Sequence, residues 1–224
     1  MSALHFFDPR SDYSIFERRL PHWTQAGVVC FITWRTNDSI PADVLERWRH
    51  ERSQWLRQHA INPRATDWRQ RLRELDPERQ KEFFETFSTK WNRELDVGHG
   101  ACVLKAPDVA RIVAESLHKF DGDRYELTDF VVMPNHIHLL AAFRNEESML
   151  EQCEGWKHYQ AVQINRAVGS KGRFWQQDGF DHLVRSAEQF EHFRRYIAEN
   201  PRKARLSAGE FIAWSKPLSR SEPK

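Results

Sequence analysis

One run of the chain decides the fold, and it reads Val131-Val132-Met133-Pro134-Asn135-His136-Ile137-His138-Leu139-Leu140. Its apolar residues are typical of two buried strands, with a Pro-Asn turn signal between them. Side chains along a strand alternate between the faces of a sheet, so residues two apart point the same way. His136 and His138 are therefore predicted to project together, while Ile137 turns to the other face. Two imidazoles side by side on a rigid strand are half of a metal site, although two unrelated polar residues on a solvated face would give the same pattern.

Hydrophobic periodicity and turn signals within and around this run predict seven elements of the fold. In chain order we expect a strand over residues 28–34, a helix over about 107–119, a strand over 125–133 paired as a hairpin with a strand over 136–143, a helix over 148 to about 167, a strand over 180–185, and a last helix over 187–200 that Pro201 stops. The order strand–helix–strand–strand–helix–strand indicates an α+β fold, a ferredoxin-like antiparallel sheet (βαββαβ) with helices on one face. The last helix is additional to that arrangement.

A long helical insertion at about residues 40–98 separates the first strand from its helix, and a polar tail follows residue 217. The insertion mixes aromatic residues with many arginines, a composition that can bind single strands by stacking and charge. An ordinary helical hairpin with a packed apolar stripe and solvated arginines also explains it, and its acidic residues favour that interpretation. We expect one domain over residues 1–224.

Composition limits the possible classes of protein. The chain has 34 Lys+Arg against 32 Asp+Glu, a formal net charge of +2, which excludes a strongly basic protein that coats nucleic acid but allows a local basic groove. Three widely spaced cysteines predict neither a disulfide framework nor a zinc knuckle, and they favour a reducing compartment. No apolar run approaches the roughly 18 residues of a membrane span, and the first residues do not resemble a signal peptide. We therefore expect a cytoplasmic protein.

The run from Met133 to Leu140 resembles the signature of the HUH single-strand endonucleases, in which a bulky apolar residue separates two histidines. It is most similar to the tyrosine transposases that act on single-stranded DNA, particularly the REP-associated branch. The catalytic domain of that family is ferredoxin-like, in agreement with the predicted order of elements. The resemblance covers the first strand and about residues 100–206, and the insertion at 40–98 departs from the family's pattern.

An attacking group is the next requirement of such a protein, and the chain has four tyrosines: Tyr13, Tyr125, Tyr159 and Tyr196. Tyr196 and Asn200 would share a helix face because they are four residues apart. The string Tyr-Ile-x-x-Asn-Pro at 196–201 resembles the nucleophile segment of REP-associated tyrosine transposases. This resemblance implies that Tyr196 is the nucleophile and that Asn200 is a third metal ligand beside His136 and His138. Tyr159, with Gln163 on the same face, stays an alternative, as does a core role for Tyr196.

The block from Gly172 to Arg185 also matches the family's pattern between the two motifs. Trp175 is a candidate for stacking on a base. The candidates for phosphate contacts are Arg173, Arg185, Arg194, Arg195, Arg202 and Lys203, each of which could instead be a solvated surface charge. His182 is a candidate for supporting the metal ligands from behind, and direct ligation of the metal is the alternative.

The function that the resemblance implies is cleavage and rejoining of single-stranded DNA at hairpin-forming repeats. The cofactor would be Mg²⁺ or Mn²⁺, and Tyr196 would form a covalent 5′-phosphotyrosine intermediate. Metal-bound water and Lys203 are candidate general bases. The partner would be hairpin-bearing single-stranded DNA in a bacterial cytoplasm, with action at the nucleoid, by a monomer or a homodimer. Two alternatives remain open: a domesticated module that binds hairpins without turnover, and a hydrolase with a zinc-like site formed by His136, His138 and His182.

Overall fold

The computed structural model describes residues 5–8, 10–11, 14–17, 21–96, 98–176 and 180–217. Tyr13 and the polar tail predicted after residue 217 lie outside the described residues. Within them, no helix combines the length and the apolar character that a membrane crossing needs. The chain divides into two compact units, residues 1–37 with 102–224, and residues 38–101. The predicted insertion falls within the second unit, and the assignment of the whole chain to one domain stays a prediction.

The first unit contains the sheet and the helices that pack on it. Its elements are β1 (Ser14–Glu17), β2 (Pro21–Thr24), β3 (Val29–Arg35), a 3-10 turn (Val103–Lys105), α4 (Pro107–His118), β4 (Tyr125–Val132), β5 (His136–Phe143), α5 (Glu146–Val168), β6 (Phe180–Leu183), α6 (Ala187–Lys203) and β7 (Ile212–Ser215). The second unit contributes α1 (Ala42–Gln58), α2 (Trp68–Arg73) and α3 (Pro77–Asp96).

The main sheet has five strands in the order β6-β3-β5-β4-β7, and all neighbours are antiparallel. The strand order of its first four members is that of a ferredoxin-like sheet, so the predicted α+β fold is confirmed. β7 extends this sheet beyond β4, and β1 pairs with β2 in a separate two-stranded ribbon. Neither addition was predicted, because both consist of short segments without a clear alternation.

The sheet has a different covering on each face. On one face Ile137 and Leu139 of β5 join the main hydrophobic cluster, which α4 and α5 complete with Val113 and Trp156. On the other face Leu140 of β5 packs in a second cluster, which is covered by α6. Alternation along β5 therefore sends even-numbered residues to the α6 face and odd-numbered residues to the α4/α5 face. His136 and His138 belong to the α6 face.

Caps fix the ends of the two long helices. Asn145 accepts a hydrogen bond from the backbone N–H of Ser148 in a capping box at the start of α5, and Gly169 ends that helix at φ 68°. Ser186 accepts one from the backbone N–H of Gln189 at the start of α6. The prediction that Pro201 stops α6 is wrong, because the helix continues to Lys203. Backbone hydrogen bonds to the carbonyls of residues 200 and 201 complete its last turn, so the missing N–H of the proline is tolerated.

A β-bulge in β4 changes which way its side chains point. The pairing with β5 shifts between Leu127 and Asp129, so that Leu127 lies opposite Ala141 while Asp129 lies opposite Leu140. Without the extra residue, Asp129 would share the face of Leu127, because the two are two positions apart. The bulge turns Asp129 to the α6 face.

The second unit is a small helical body with its own core. Trp55, Leu56, Leu72 and Phe83 form its centre, as the apolar stripe in the sequence predicts. Its two ends meet, because the Ala101 backbone N–H donates to Asp38 Oδ2 at 2.8 Å. Gly100 has φ 88°, and a Cβ there would lie 2.7 Å from the Asp38 carbonyl oxygen, so this closure requires glycine.

Leu139 on the central strand provides a test of the main core. It is fully buried, so Leu139→Ala should lower the free energy of unfolding by about 2–5 kcal/mol, through lost burial and a residual cavity. Val162→Ala is the control, because Val162 is 42% exposed on α5 and its truncation should change stability by about 0.5 kcal/mol or less. Urea unfolding measures both variants, and equal effects would contradict this description of the core.

Candidate active site

The two histidines of β5 form a compact buried pair. His136 is 0% exposed and His138 is 1% exposed. Their ring centroids are 4.7 Å apart at an interplanar angle of 74°. The expectation that both imidazoles project to one face is thus met, and that face lies under α6.

A hydrogen bond at Nδ1 orients each imidazole. His138 Nδ1 lies 2.6 Å from Thr33 Oγ1, and His136 Nδ1 lies 2.7 Å from Asn135 Oδ1. An amide oxygen only accepts, so His136 carries its proton on Nδ1 and donates to Asn135. The Nε2 atoms of both rings are buried and have no hydrogen-bond partner among the described residues. Orientation through one ring nitrogen with the other left available is the usual arrangement of metal-binding histidines.

Burial also fixes the charge of the pair. Desolvation lowers the pKa of His136 to about 3. It lowers the pKa of His138 well below the ordinary value, and the neighbouring His136 adds to this effect. Both imidazoles are therefore neutral near pH 7, which is the form that ligates metals.

Helix α6 brings Tyr196 to the histidines. The Tyr196 ring centroid lies 5.1 Å from that of His138 and 5.9 Å from that of Phe31, and its hydroxyl is buried. Phe31 also stacks on His138 at 5.4 Å and on Phe193 of α6 at 4.3 Å. This aromatic cluster joins the helix to β3 and β5, and it determines where the phenol lies.

The other tyrosines that the structure describes lie elsewhere. Tyr159 is 47% exposed on α5, which covers the opposite face of the sheet. Tyr125 belongs to the core of that opposite face, where its hydroxyl donates to the Leu117 carbonyl at 2.7 Å. Burial raises the pKa of Tyr125 to about 12. Among the tyrosines with described side chains, Tyr196 is therefore the one beside the histidine pair.

Asn200 is a further buried donor residue on α6, the helix that covers the histidine face of the sheet. It lies one turn beyond Tyr196 on α6 and is 1% exposed. Its amide oxygen and nitrogen are both buried without a hydrogen-bond partner, as are the Nε2 atoms of His136 and His138. Unsatisfied buried polar groups cost free energy, so these atoms are candidates for holding a ligand. Two imidazole nitrogens and an amide oxygen suit a divalent ion.

A zinc-like site with three histidines has no support in the described part of the chain. No group of three or more His, Cys, Asp or Glu side chains is placed there to hold a metal. His182 accepts a hydrogen bond at Nε2 from the Gln189 side-chain amide at 3.2 Å, and its ring lies against Phe193. His182 therefore supports the packing of α6 on β6.

The residues predicted to contact DNA occupy three kinds of position. Trp175 is 4% exposed and packs against Trp34 and Phe174, so it is a core side chain and not an open stacking platform. Arg194 is paired with buried Asp129 through contacts of 3.1 Å from its Nε to both carboxylate oxygens. The remaining five lie on the surface: Arg173, Arg185, Arg195, Arg202 and Lys203.

Sequence reasoning missed four residues of this region. Thr33 and Arg35 lie on β3 directly opposite His138 and His136, and opposed residues of antiparallel strands share a face. Burial lowers the pKa of Arg35 to about 10. Asn135 lies within the histidine motif but was taken as a turn residue, and Asp129 lies behind an unpredicted bulge. Strand alternation placed Thr33 and Arg35 on one face, yet only the register shows which histidine each one meets.

Comparison with known proteins shows what part of this chain is similar to. Residues 103–200 match the family model described as "Transposase IS200 like". A comparison with curated proteins gives no match. Among solved structures, the chain is similar to a REP-associated tyrosine transposase bound to a REP hairpin, with 16% identity and a TM-score of 0.40 over 85% of this chain and 73% of that one. The matched segment contains both histidines, Tyr196 and Asn200, and over these residues the chain is similar to IS200-like transposases.

Proposed function

We propose that this protein is a metal-dependent transposase that cleaves and rejoins single-stranded DNA at hairpin-forming repeats of the REP kind. The observation that carries the proposal is the buried contact of Tyr196 with His138, whose ring centroids are 5.1 Å apart. The Nε2 atoms of His136 and His138 have no hydrogen-bond partner among the described residues. A nucleophile next to metal-binding nitrogens, within a segment that matches a transposase family, is what strand transfer by a tyrosine requires.

In this proposal His136, His138 and Asn200 hold Mg²⁺ or Mn²⁺. A bound divalent ion would polarise the scissile phosphate and offset the negative charge that develops on it. The three protein ligands are neutral, so they do not reduce the ion's charge. Thr33 and Asn135 fix the two rings through Nδ1, which would leave each Nε2 available to hold the ion.

The chemical step is a transesterification. The Tyr196 oxygen attacks the phosphorus, the bond from phosphorus to the 3′-oxygen breaks, and a 5′-phosphotyrosine and a free 3′-hydroxyl result. The number of phosphodiester bonds is conserved, so a second 3′-hydroxyl can reverse the step and join strands without ATP. Tyr196 lies beside His138 of its own chain, which supports action in cis by a monomer; a homodimer is the alternative.

Lys203 has an electrostatic role in this proposal. Its Nζ lies 5.5 Å from the centroid of the Tyr196 ring and 3.2 Å from Glu199 Oε2. The role of Lys203 as a general base stays a prediction. Its positive charge stabilises a phenolate on the neighbouring ring.

The substrate strand would be held mainly through its phosphates. Arg195, Arg202 and Lys203 expose positive charge along α6, and Arg173 and Arg185 do so on the preceding segment. Contacts of this kind give salt-sensitive affinity, and the base sequence must be recognised by other groups.

The decisive experiment removes the attacking oxygen. Tyr196→Phe should abolish covalent attachment to a hairpin-bearing oligonucleotide in Mn²⁺, because no other group replaces the phenol, and should leave hairpin affinity within about twofold. A denaturing gel measures the adduct, and fluorescence anisotropy measures binding. Tyr159→Phe is the matched control and should form adduct at the wild-type rate.

Two outcomes would contradict the proposal. Undiminished adduct in Tyr196→Phe would show that another residue is the nucleophile. Tight binding of the wild-type protein to hairpins, without any adduct in Mn²⁺ across oligonucleotides from the flanks of its gene, would favour a hairpin-binding module without turnover.

The metal site has its own test through Thr33. Thr33→Val removes the hydroxyl that orients His138, and we expect Mn²⁺ affinity to fall roughly 10–100-fold by isothermal titration calorimetry. Thr128→Val is the control, since Thr128 is a buried threonine of β4 whose hydroxyl donates to the Leu140 carbonyl, and its Mn²⁺ affinity should match that of the wild type. Equal affinities for all three proteins would remove Thr33 from the site, and the absence of Mn²⁺ binding by the wild type would refute the metal.

A further inference from the structure

Arg194 and Asp129 form a buried ion pair between α6 and the sheet. Arg194 Nε lies 3.1 Å from each carboxylate oxygen of Asp129, whose side chain is 1% exposed. Arg194 Nη2 also donates to the Lys216 carbonyl just beyond β7, at 3.4 Å. Burial raises the pKa of Asp129, and hydrogen bonds from Ser215 and Arg194 oppose that effect. The pair therefore ties α6 to β4 and β7 at once.

The position of this pair relative to Tyr196 gives it a specific consequence. Arg194 and Tyr196 are two residues apart, which places them about 200° apart around the helix. Tyr196 packs toward β3 and β5 through Phe31 and His138, while Arg194 reaches β4 on the other flank. Contacts on two flanks resist rotation of the helix about its own axis, which a single contact does not.

Rotation matters because the reacting atom lies far from the helix axis. An atom at about 6 Å from the axis moves by about 1 Å for a rotation of roughly 10°. A displacement of about 1 Å at a reacting group can reduce a rate by roughly 100-fold. A device that fixes the rotation of α6 therefore acts directly on the chemical step.

We infer that Arg194 and Asp129 are positioning residues, a latch that fixes the rotation of α6 and so sets the Tyr196 phenol against the histidine pair. The inference rests on the proposed function, and it assigns Arg194 a different role from the phosphate contact predicted from the sequence. The β4 bulge is part of the latch, because it turns Asp129 to the α6 face. The latch adds no positive charge to the DNA surface, since the carboxylate neutralises the guanidinium.

The two roles of Arg194 are separated by changing Asp129. Asp129→Asn leaves every positive charge in place, so a phosphate contact by Arg194 would be preserved or strengthened. A latch would be weakened, and we expect the single-turnover rate of adduct formation to fall about 5- to 20-fold with hairpin affinity within twofold. The rate of adduct formation should be 10- to 100-fold lower in Arg194→Gln than in the wild type. Arg194→Lys can still pair with the carboxylate, so its rate should lie between those of Arg194→Gln and the wild type.

The double variant distinguishes loss of the latch from a general destabilisation of the fold. Arg194→Gln leaves a buried carboxylate without its cation, which can destabilise the fold by itself. Arg194→Gln with Asp129→Asn removes both charges, and a latch predicts a rate no lower than that of Arg194→Gln alone. Arg111→Gln is the control for loss of one arginine, because Arg111 is exposed on α4 and pairs with exposed Asp108; it should change neither rate nor affinity.

Hydrogen exchange gives a readout that does not depend on activity or metal. In the double variant, backbone amides of residues 190–203 should exchange at least tenfold faster than in the wild type, while those of α4 keep their rates. One result would overturn the latch in favour of a phosphate contact. In that result Arg194→Gln binds the hairpin more weakly but forms adduct at the wild-type rate at saturation, and Asp129→Asn keeps both its rate and its affinity. Unchanged rate and unchanged exchange in the double variant would overturn it as well. If the wild type forms no adduct, the proposed function fails, and the exchange measurement alone decides the latch.

Discussion

The register of β5 is the constraint on which the remaining structure depends. This strand lies at the centre of the sheet, hydrogen bonded to β3 on one side and to β4 on the other. Its even residues carry the imidazoles under α6, and its odd residues fill the core under α4 and α5. A slip of one residue would exchange the two sets, burying His136 and His138 in an apolar core and placing Ile137 in the site. The fold and the chemistry therefore require the same pairing, so the core also stabilises the site.

Features that follow from local rules could be predicted from the sequence. Alternation on one strand places His136 and His138 on a common face, and helical spacing places Tyr196 and Asn200 together. The ferredoxin-like order of elements also follows from hydrophobic runs separated by turn signals. Family resemblance then directed attention to Tyr196, which the local pattern alone could not separate from Tyr159. Geometry now distinguishes the two tyrosines, because they lie against opposite faces of the sheet.

Features that depend on long-range pairing could not be predicted. The bulge that turns Asp129 appears only in the register between β4 and β5, so the sequence does not show that Asp129 is the partner of Arg194. Without that partner, the charge of Arg194 is predicted to be available to DNA. Trp175 was expected to meet a base because tryptophan often does so, yet its neighbours in space make it a core residue. Pro201 was expected to stop α6, but tertiary packing and backbone hydrogen bonds around it outweigh its local preference. In each case the deciding neighbour lies far away in sequence or depends on packing.

The hydrogen bond between Ala101 and Asp38 has a consequence for how this chain can vary. The first and last residues of the helical body, Asp38 and Ala101, are hydrogen bonded to each other. For the rest of the chain the body therefore acts as a short connection does. Lengthening or shortening such a body changes the entropic cost of closing the loop only a little, since its two ends stay hydrogen bonded. A change in the length of this body is therefore expected to leave the pairing of the strands on either side of it unchanged.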